Sequence, residues 1–203
     1  MLRYYIYISK TKIDMLYPQI PPDFLAAAEA ELKVNLGVIS TGLKSRSPDP
    51  PKELAGRTGV LAEYIRKYEK VGSPDAPETW FQSEARLRWG VVREYASDIA
   101  LFGGRIGNRT VALLGSSESI LGAAETGESQ HALFYYTLRF FNGVLDGHAQ
   151  LTGEQPPYFS WRDAVDIGLR ALPGTEHQVN FLARVVYAER ELLVGTPLYV
   201  ALA

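Results

Sequence analysis

Between Trp80 and Val92 the chain alternates with period two. Phe81, Ala85, Leu87, Trp89 and Val91 fall on one side, and Gln82, Glu84, Arg86 and Arg88 on the other. Successive side chains of a strand point to opposite faces, so this run predicts a half-exposed strand of the antiparallel kind. Two apolar runs follow, Ile99 to Gly103 and Thr110 to Leu114. The Gly/Asn-rich link between them, from Gly104 to Arg109, predicts a β-hairpin. A sheet is therefore the frame onto which the rest of the chain must pack.

Around that frame, Arg3 to Ser9 predicts a strand apolar on both faces, hence covered on both sides. A link with Lys10, Lys12 and Asp14 leads to Pro21-Pro22-Asp23, which opens a helix, since proline fits a first turn and an acid complements the positive dipole end. Phe24, Leu25, Ala28, Leu32 and Leu36 recur at helical spacing up to Gly37. Val38 to Leu43 predicts a second strand, giving strand–helix–strand with a parallel crossover. Residues 44–51, rich in proline, predict a loop. A helix from about Lys52 to Val71 follows, with Leu54, Leu61, Ile65 and Tyr68 inward, and then a loop over 72–78.

The C-terminal third predicts mostly helices. His131 to Asp146 fits a helix with Leu133, Thr137, Phe140 or Phe141 and Val144 inward, although its aromatics also suit a strand. Ser160 to Asp163 and Thr175 to Gln178 both resemble capping boxes, and the second predicts a helix with Val179, Leu182 and Val186 inward. Thr196 to Leu202 predicts a closing strand. The expected fold is α+β, or mixed α/β, with a single mixed β-sheet of about six strands and helices packed on it. At 203 residues this is one globular domain, with possible sub-blocks 1–72 and 79–203.

Composition narrows the chemistry. The chain has no Cys, which removes disulfides, thiolate metal sites and cysteine nucleophiles. Its 21 Lys+Arg against 23 Asp+Glu argue against general nucleic-acid binding and against anionic membranes. The three His, at 131, 148 and 177, lack metal-ligand spacing, so neither a metal nor a cofactor is expected. The N-terminal apolar stretch is shorter than the roughly 7–15 residues of a secretory signal. A cytoplasmic protein is the expectation.

Two segments could receive a ligand. Ser9-Lys10-Thr11-Lys12, at the exit of the first strand, offers hydroxyl and ammonium groups to a phosphate; a plain solvated turn is the simpler alternative. Gly115-Ser116-Ser117 ends a buried strand in a small turn whose N–H groups and hydroxyls suit an anion, with Ile120-Leu121 opening a short helix. A helix cap at Ser117 is the simpler alternative there. A nucleophile elbow needs glycines two residues either side of the serine, and Ser117 has Gly115 but also Ser119. If the first strand and the 110–114 strand run parallel as neighbours, the two segments meet in one pocket. Candidate ligand contacts are thus Ser9, Lys10, Thr11, Gly115, Ser116 and Ser117. Arg86 and Arg88 form a candidate partner-docking face. Phe134, Tyr135, Tyr136, Phe140 and Phe141 would line a cavity or pack a core.

The segments YYIYISKTKIDMLYPQIP from Tyr4, RLRWG from Arg86, LFGG and LLGSS in the hairpin, and LLVGTPLYVALA at the C-terminus resemble an uncharacterised bacterial protein family, mainly of actinomycetes. That resemblance implies a bacterial cytosolic protein and brings no catalytic residues. A ligand loop after the first strand with a small-residue loop after a later one is also similar to nucleotide-sensing domains of bacterial defence systems. The leading expectation is a non-catalytic sensor or binding module for a small anionic ligand such as a nucleotide. The alternatives are a serine-type hydrolase using Ser117 or Ser116, and an interaction subunit with a protein partner or a second copy of itself.

Overall fold

Trp80–Val91 is one strand, β3 in chain order, and its two edges are both taken. One edge pairs antiparallel with β4 (Ile99–Ile106), the other antiparallel with β6 (His177–Ala188). The computed structural model describes residues 3–35, 50–122, 135–152 and 160–203. Within them β4 pairs with β5 (Arg109–Ser116), β5 runs parallel to β7 (Leu192–Leu202), and β7 pairs with β6. The sheet expected as a single mixed layer therefore closes on itself as a five-stranded barrel, β3–β4–β5–β7–β6. Two short strands extend it: β1 (Tyr4–Ile8) on β7 and β2 (Val71–Gly72) on β3.

Closure gives the apolar residues two places to go. Alternate residues fill the barrel, among them Tyr7, Phe81, Leu87, Phe102, Val111, Leu113, Phe181 and Leu193. Phe102 is the hub, edge-on to Tyr7 at 5.4 Å and stacked on Trp89 at 5.9 Å. Side chains of opposite parity lie under helices. Leu101, Ala112, Leu114 and Val194 pack beneath α4 (Tyr135–Thr152) and α5 (Trp161–Ala171). Leu182, Leu198 and Tyr199 pack beneath α1 (Lys10–Leu16) and α3 (Pro50–Tyr68), with α2 (Pro22–Asn35) flanking them through Phe24 and Tyr64. β7 is covered on both faces and buried at every position but Leu202. At about 1.5–3 kcal/mol per large side chain, these layers supply most of the folding free energy.

Several expectations change. His177–Ala188 is a strand rather than a helix, because Val179, Phe181 and Ala183 point into the barrel while both backbone edges find partners. Twelve residues, paired with β3 over 177–184 and with β7 from 179 on, outweigh a local capping signal. Strands β4 and β5 run on through the expected connection to a two-residue turn, Gly107-Asn108, where Gly107 takes φ +56°. The link after β1 is itself the helix α1. β1 pairs antiparallel with the C-terminal β7 rather than in a local crossover. Tyr68, expected inward, is exposed and leans on Tyr64 and Phe24. Of the segment that could be helix or strand, the described part is helix from Tyr135, with Thr137, Phe140 and Val144 buried. Ser160 does cap α5 reciprocally: its Oγ accepts from Asp163 N, and Asp163 Oδ2 accepts from Ser160 N at 2.9 Å. The strand expected at 38–43, the loop over 44–49, His131, Leu133 and Phe134 lie outside the described residues. Among those residues no helix is long and apolar enough to cross a membrane.

Candidate functional site

The site originates in how β7 shares one of its edges. Its other edge belongs to β6 along most of its length. On the shared edge, β5 covers Leu192–Gly195 in parallel and β1 covers Tyr199–Leu202 antiparallel. β1 and β5 are thus not parallel neighbours, as the simplest sheet would have it. They approach along one line from opposite ends, and their C-terminal ends converge on Thr196–Leu198. Among the described residues no strand fills the interval, and Pro197 has no N–H to leave unpaired there. Ser9 N closes the upper end on Leu198 O at 2.9 Å.

From this break the chain leaves β1 into α1 and leaves β5 into a 3₁₀ turn, Ser117–Ser119. Ile120 then bridges to Tyr7, and Leu121 N donates to Ile6 O, which straps the β5 exit onto the free side of β1. The two ligand-candidate segments therefore line one cleft of about 110 Å³. Ser9, Thr11 and Lys12 face it from the first segment and Ser116 from the second. Ser119, Tyr136, Arg184 and Thr196 complete its polar wall; Met15, Leu16 and Trp80 form the apolar one.

Helical phase decides which lysine enters. Lys12 lies three residues beyond Ser9, so its stem turns back over the end of β1, whereas Lys10 is rotated away and exposed. Lys12 Nζ donates to Thr196 Oγ1 at 2.7 Å, to Pro197 O at 3.0 Å and to Ser9 Oγ at 3.3 Å. It thereby occupies the break in the sheet and satisfies the Pro197 carbonyl. Burial, and secondly the Arg184 cation, lower its pKa to about 7. Asp14, the acid nearest in sequence, instead pairs with Arg57 at 2.9 Å.

Tyr7 forms the floor. Its ring is 1% exposed, and its hydroxyl bonds with the side chains of Ser119 and Ser9 and the backbone of Ser116. Burial pushes its pKa up to about 12 despite those bonds, so it stays a neutral phenol. Gly115 makes room for this ring: a Cβ there would stand 2.7 Å from Tyr7 Cζ. Its part is to admit Tyr7, not to contact a ligand. Ser116 rather than Ser117 is the cap, accepting from Glu118 N at 3.3 Å. Ser117 Oγ donates to Ser97 O at 3.2 Å and Ser117 is not in the cleft wall.

The sequence alone put forward Lys10, which faces solvent, and passed over Lys12 as a chosen contact. It did not put forward Arg184, Thr196 or Ser119, which arrive from β6, β7 and the 3₁₀ turn, and offered Tyr136 of α4 only among aromatics that line a cavity or pack a core. Period two along β6 places Arg184 opposite in parity to Phe181 and Ala183, and that was the signal available for it. Of the aromatics at 135–141, Tyr136 lines the cleft, Phe140 is core and Phe141 packs on Trp161 at 4.6 Å. Arg86 and Arg88 lie outside the cleft on the far part of β3; Arg86 is exposed beside Glu176 at 3.8 Å. Among the described residues no group of three or more His, Asp or Glu is placed to hold a metal.

A five-stranded mixed barrel jacketed by helices, with a cationic cleft where two strands share one edge, defines the class of this protein. The chain belongs to DUF7019, a family of unknown function, whose model matches residues 3–203. No curated protein and no solved structure matches it.

Proposed function

We propose that this protein is a binding module that takes a small anion, or the anionic group of a larger ligand such as the phosphate of a nucleotide, in the cleft between α1 and the β5 exit. The observation that carries this is the make-up of the polar wall. Lys12 and Arg184 sit there with Ser, Thr and Tyr hydroxyls, and no carboxylate is among the described residues that line it. At an effective dielectric near 20, an anion about 4 Å from one such cation gains roughly 4 kcal/mol before desolvation. The volume limits what enters. An apolar cavity of roughly 150 Å³ accommodates a benzene ring, so about 110 Å³ suits a phosphate or a short carboxylate. A nucleoside would lie outside, against Met15, which is 63% exposed.

The test is calorimetric titration and thermal shift with inorganic phosphate, short carboxylates and a nucleotide panel. Wild type should bind at least one of these saturably. At ten times Kd the gain is about 1.4 kcal/mol, or roughly 3–5 °C in Tm for a chain of this size. Lys12→Met and Arg184→Met should each abolish the shift, and Lys10→Ala should retain it. A folded Arg184→Met variant that binds as wild type does, or no binding at millimolar ligand, refutes the proposal.

A further inference from the structure

We propose that Lys12 is a nucleophilic amine and that the anion admitted by the cleft is a short 2-oxo acid, which condenses with Lys12 Nζ as an imine. This rests on the cleft being an anion site and adds what the anion must be. All three partners of Nζ are uncharged: Ser9 Oγ, Thr196 Oγ1 and Pro197 O. Two of them are hydroxyls, which donate as readily as they accept. A neutral amine is therefore as well satisfied there as an ammonium, its N–H groups on Pro197 O and one hydroxyl, its lone pair facing the other. A lysine kept only for its charge would more naturally be given a carboxylate.

The surroundings act in the same direction. Among the described residues the other ionisable groups lining the cleft are Arg184 from β6, Tyr7 from β1 and Tyr136 from α4; β7 and the β5 exit contribute Thr196, Ser116 and Ser119, all neutral. Burial beside a guanidinium is how an amine loses its proton near neutrality. With its pKa at about 7, half of Lys12 is free base at that pH, against roughly one part in 2,500 for an exposed lysine. Arg184 is the counter-charge for the substrate carboxylate, which sets the adjacent carbonyl carbon beside Nζ. About 110 Å³ matches a molecule of about six non-hydrogen atoms, such as pyruvate.

The step balances without another reactant. The Nζ lone pair forms the C–N bond as the carbonyl π pair moves to oxygen. An amine proton passes to that oxygen through the Thr196 or Ser9 hydroxyl, giving the carbinolamine. Loss of water then leaves the C=N bond.

The experiment treats the full chain at pH 7 with pyruvate and sodium cyanoborohydride, which reduces an imine to a stable secondary amine, followed by intact-mass and peptide mapping. One adduct is expected, on Lys12, formed about 25–55-fold faster than on Lys10. That figure is the gain in free base reduced by the lower nucleophilicity of a weaker base, taking the Brønsted dependence known for thiols. Lys12→Arg should remove the adduct. Arg184→Gln, which leaves the Lys12 contacts in place, should slow its formation at least about tenfold. Absence of an adduct, or equal labelling of Lys10 and Lys12, overturns the inference. Protection of Lys12 by phosphate against trinitrobenzenesulfonate separates the two proposals. Protection without a pyruvate adduct leaves the anion site standing and removes the imine; neither protection nor adduct removes both.

Discussion

Lys12→Met, followed across pH, isolates the electrostatic state of the cleft. In the unfolded chain the amine keeps its proton to about pH 10.4; in the folded protein it does so only to about 7. Between those values unfolding takes up a proton, so stability rises with pH and falls as pH drops toward 7. Below about 7 both states are protonated and the slope vanishes. One proton is worth about 1.4 kcal/mol per pH unit, and integrating between pH 7 and 9 gives about 2 kcal/mol. Lys12 is half-buried rather than fully enclosed, so solvent screens the interaction and reduces the expected effect to about 1–2 kcal/mol. The assay is urea unfolding of wild type and Lys12→Met at pH 6, 7, 8 and 9 in a buffer free of binding anions. Met retains the length of the stem and cannot titrate. Lost bonds to Thr196 and Pro197 offset the two curves by a constant amount. Their difference should grow in favour of wild type from pH 7 to 9 and stay level from 6 to 7. Parallel curves from pH 6 to 9 would refute the placement of a displaced proton on Lys12.

Two further substitutions probe the frame around the cleft. Gly115→Ala forces the new methyl into the Tyr7 ring and should cost about 1–3 kcal/mol, the range for overpacking a tight core. Thermal unfolding should read this as a fall of roughly 3–10 °C, and Tyr7→Leu should recover part of it in the double variant; an unchanged Tm would show that the ring does not sit where Gly115 admits it. Ser160→Ala removes the reciprocal cap of α5 and should cost about 1 kcal/mol, measured by urea unfolding at pH 7, with Ser160→Asn near wild type. Equal losses for both would mean that the hydroxyl is not acting through Asp163 N.

Much of the element content follows from local pattern. β3 with its alternating faces, the β4–β5 hairpin, the proline-led start of α2 and the Ser160 box each follow from neighbours within a turn or a strand. β6 does not. Its Thr175–Gln178 stretch carries helix-start residues, while of the two strands that hold it extended, β7 follows it directly but β3 lies far back in the sequence. Tyr7 shows the same limit: apolarity marks it as buried, but its place opposite Gly115 depends on residues more than a hundred positions away.

The sequence by itself determined which segments could bury a face, which could turn, and that hydroxyls and scattered cations rather than thiols or clustered histidines were the chemical means available. Only the tertiary structure decided that the sheet closes, because closure depends on β6 pairing with β3 and β7 pairing with β5, both over long range. It also decided the site. Ser9 and Ser116 meet because β1 and β5 run toward each other along one edge of β7, and Lys12 rather than Lys10 fills the break because α1 begins one residue after Ser9. Arg184 and Thr196 complete it from the two strands that close the barrel, and no local periodicity records that convergence.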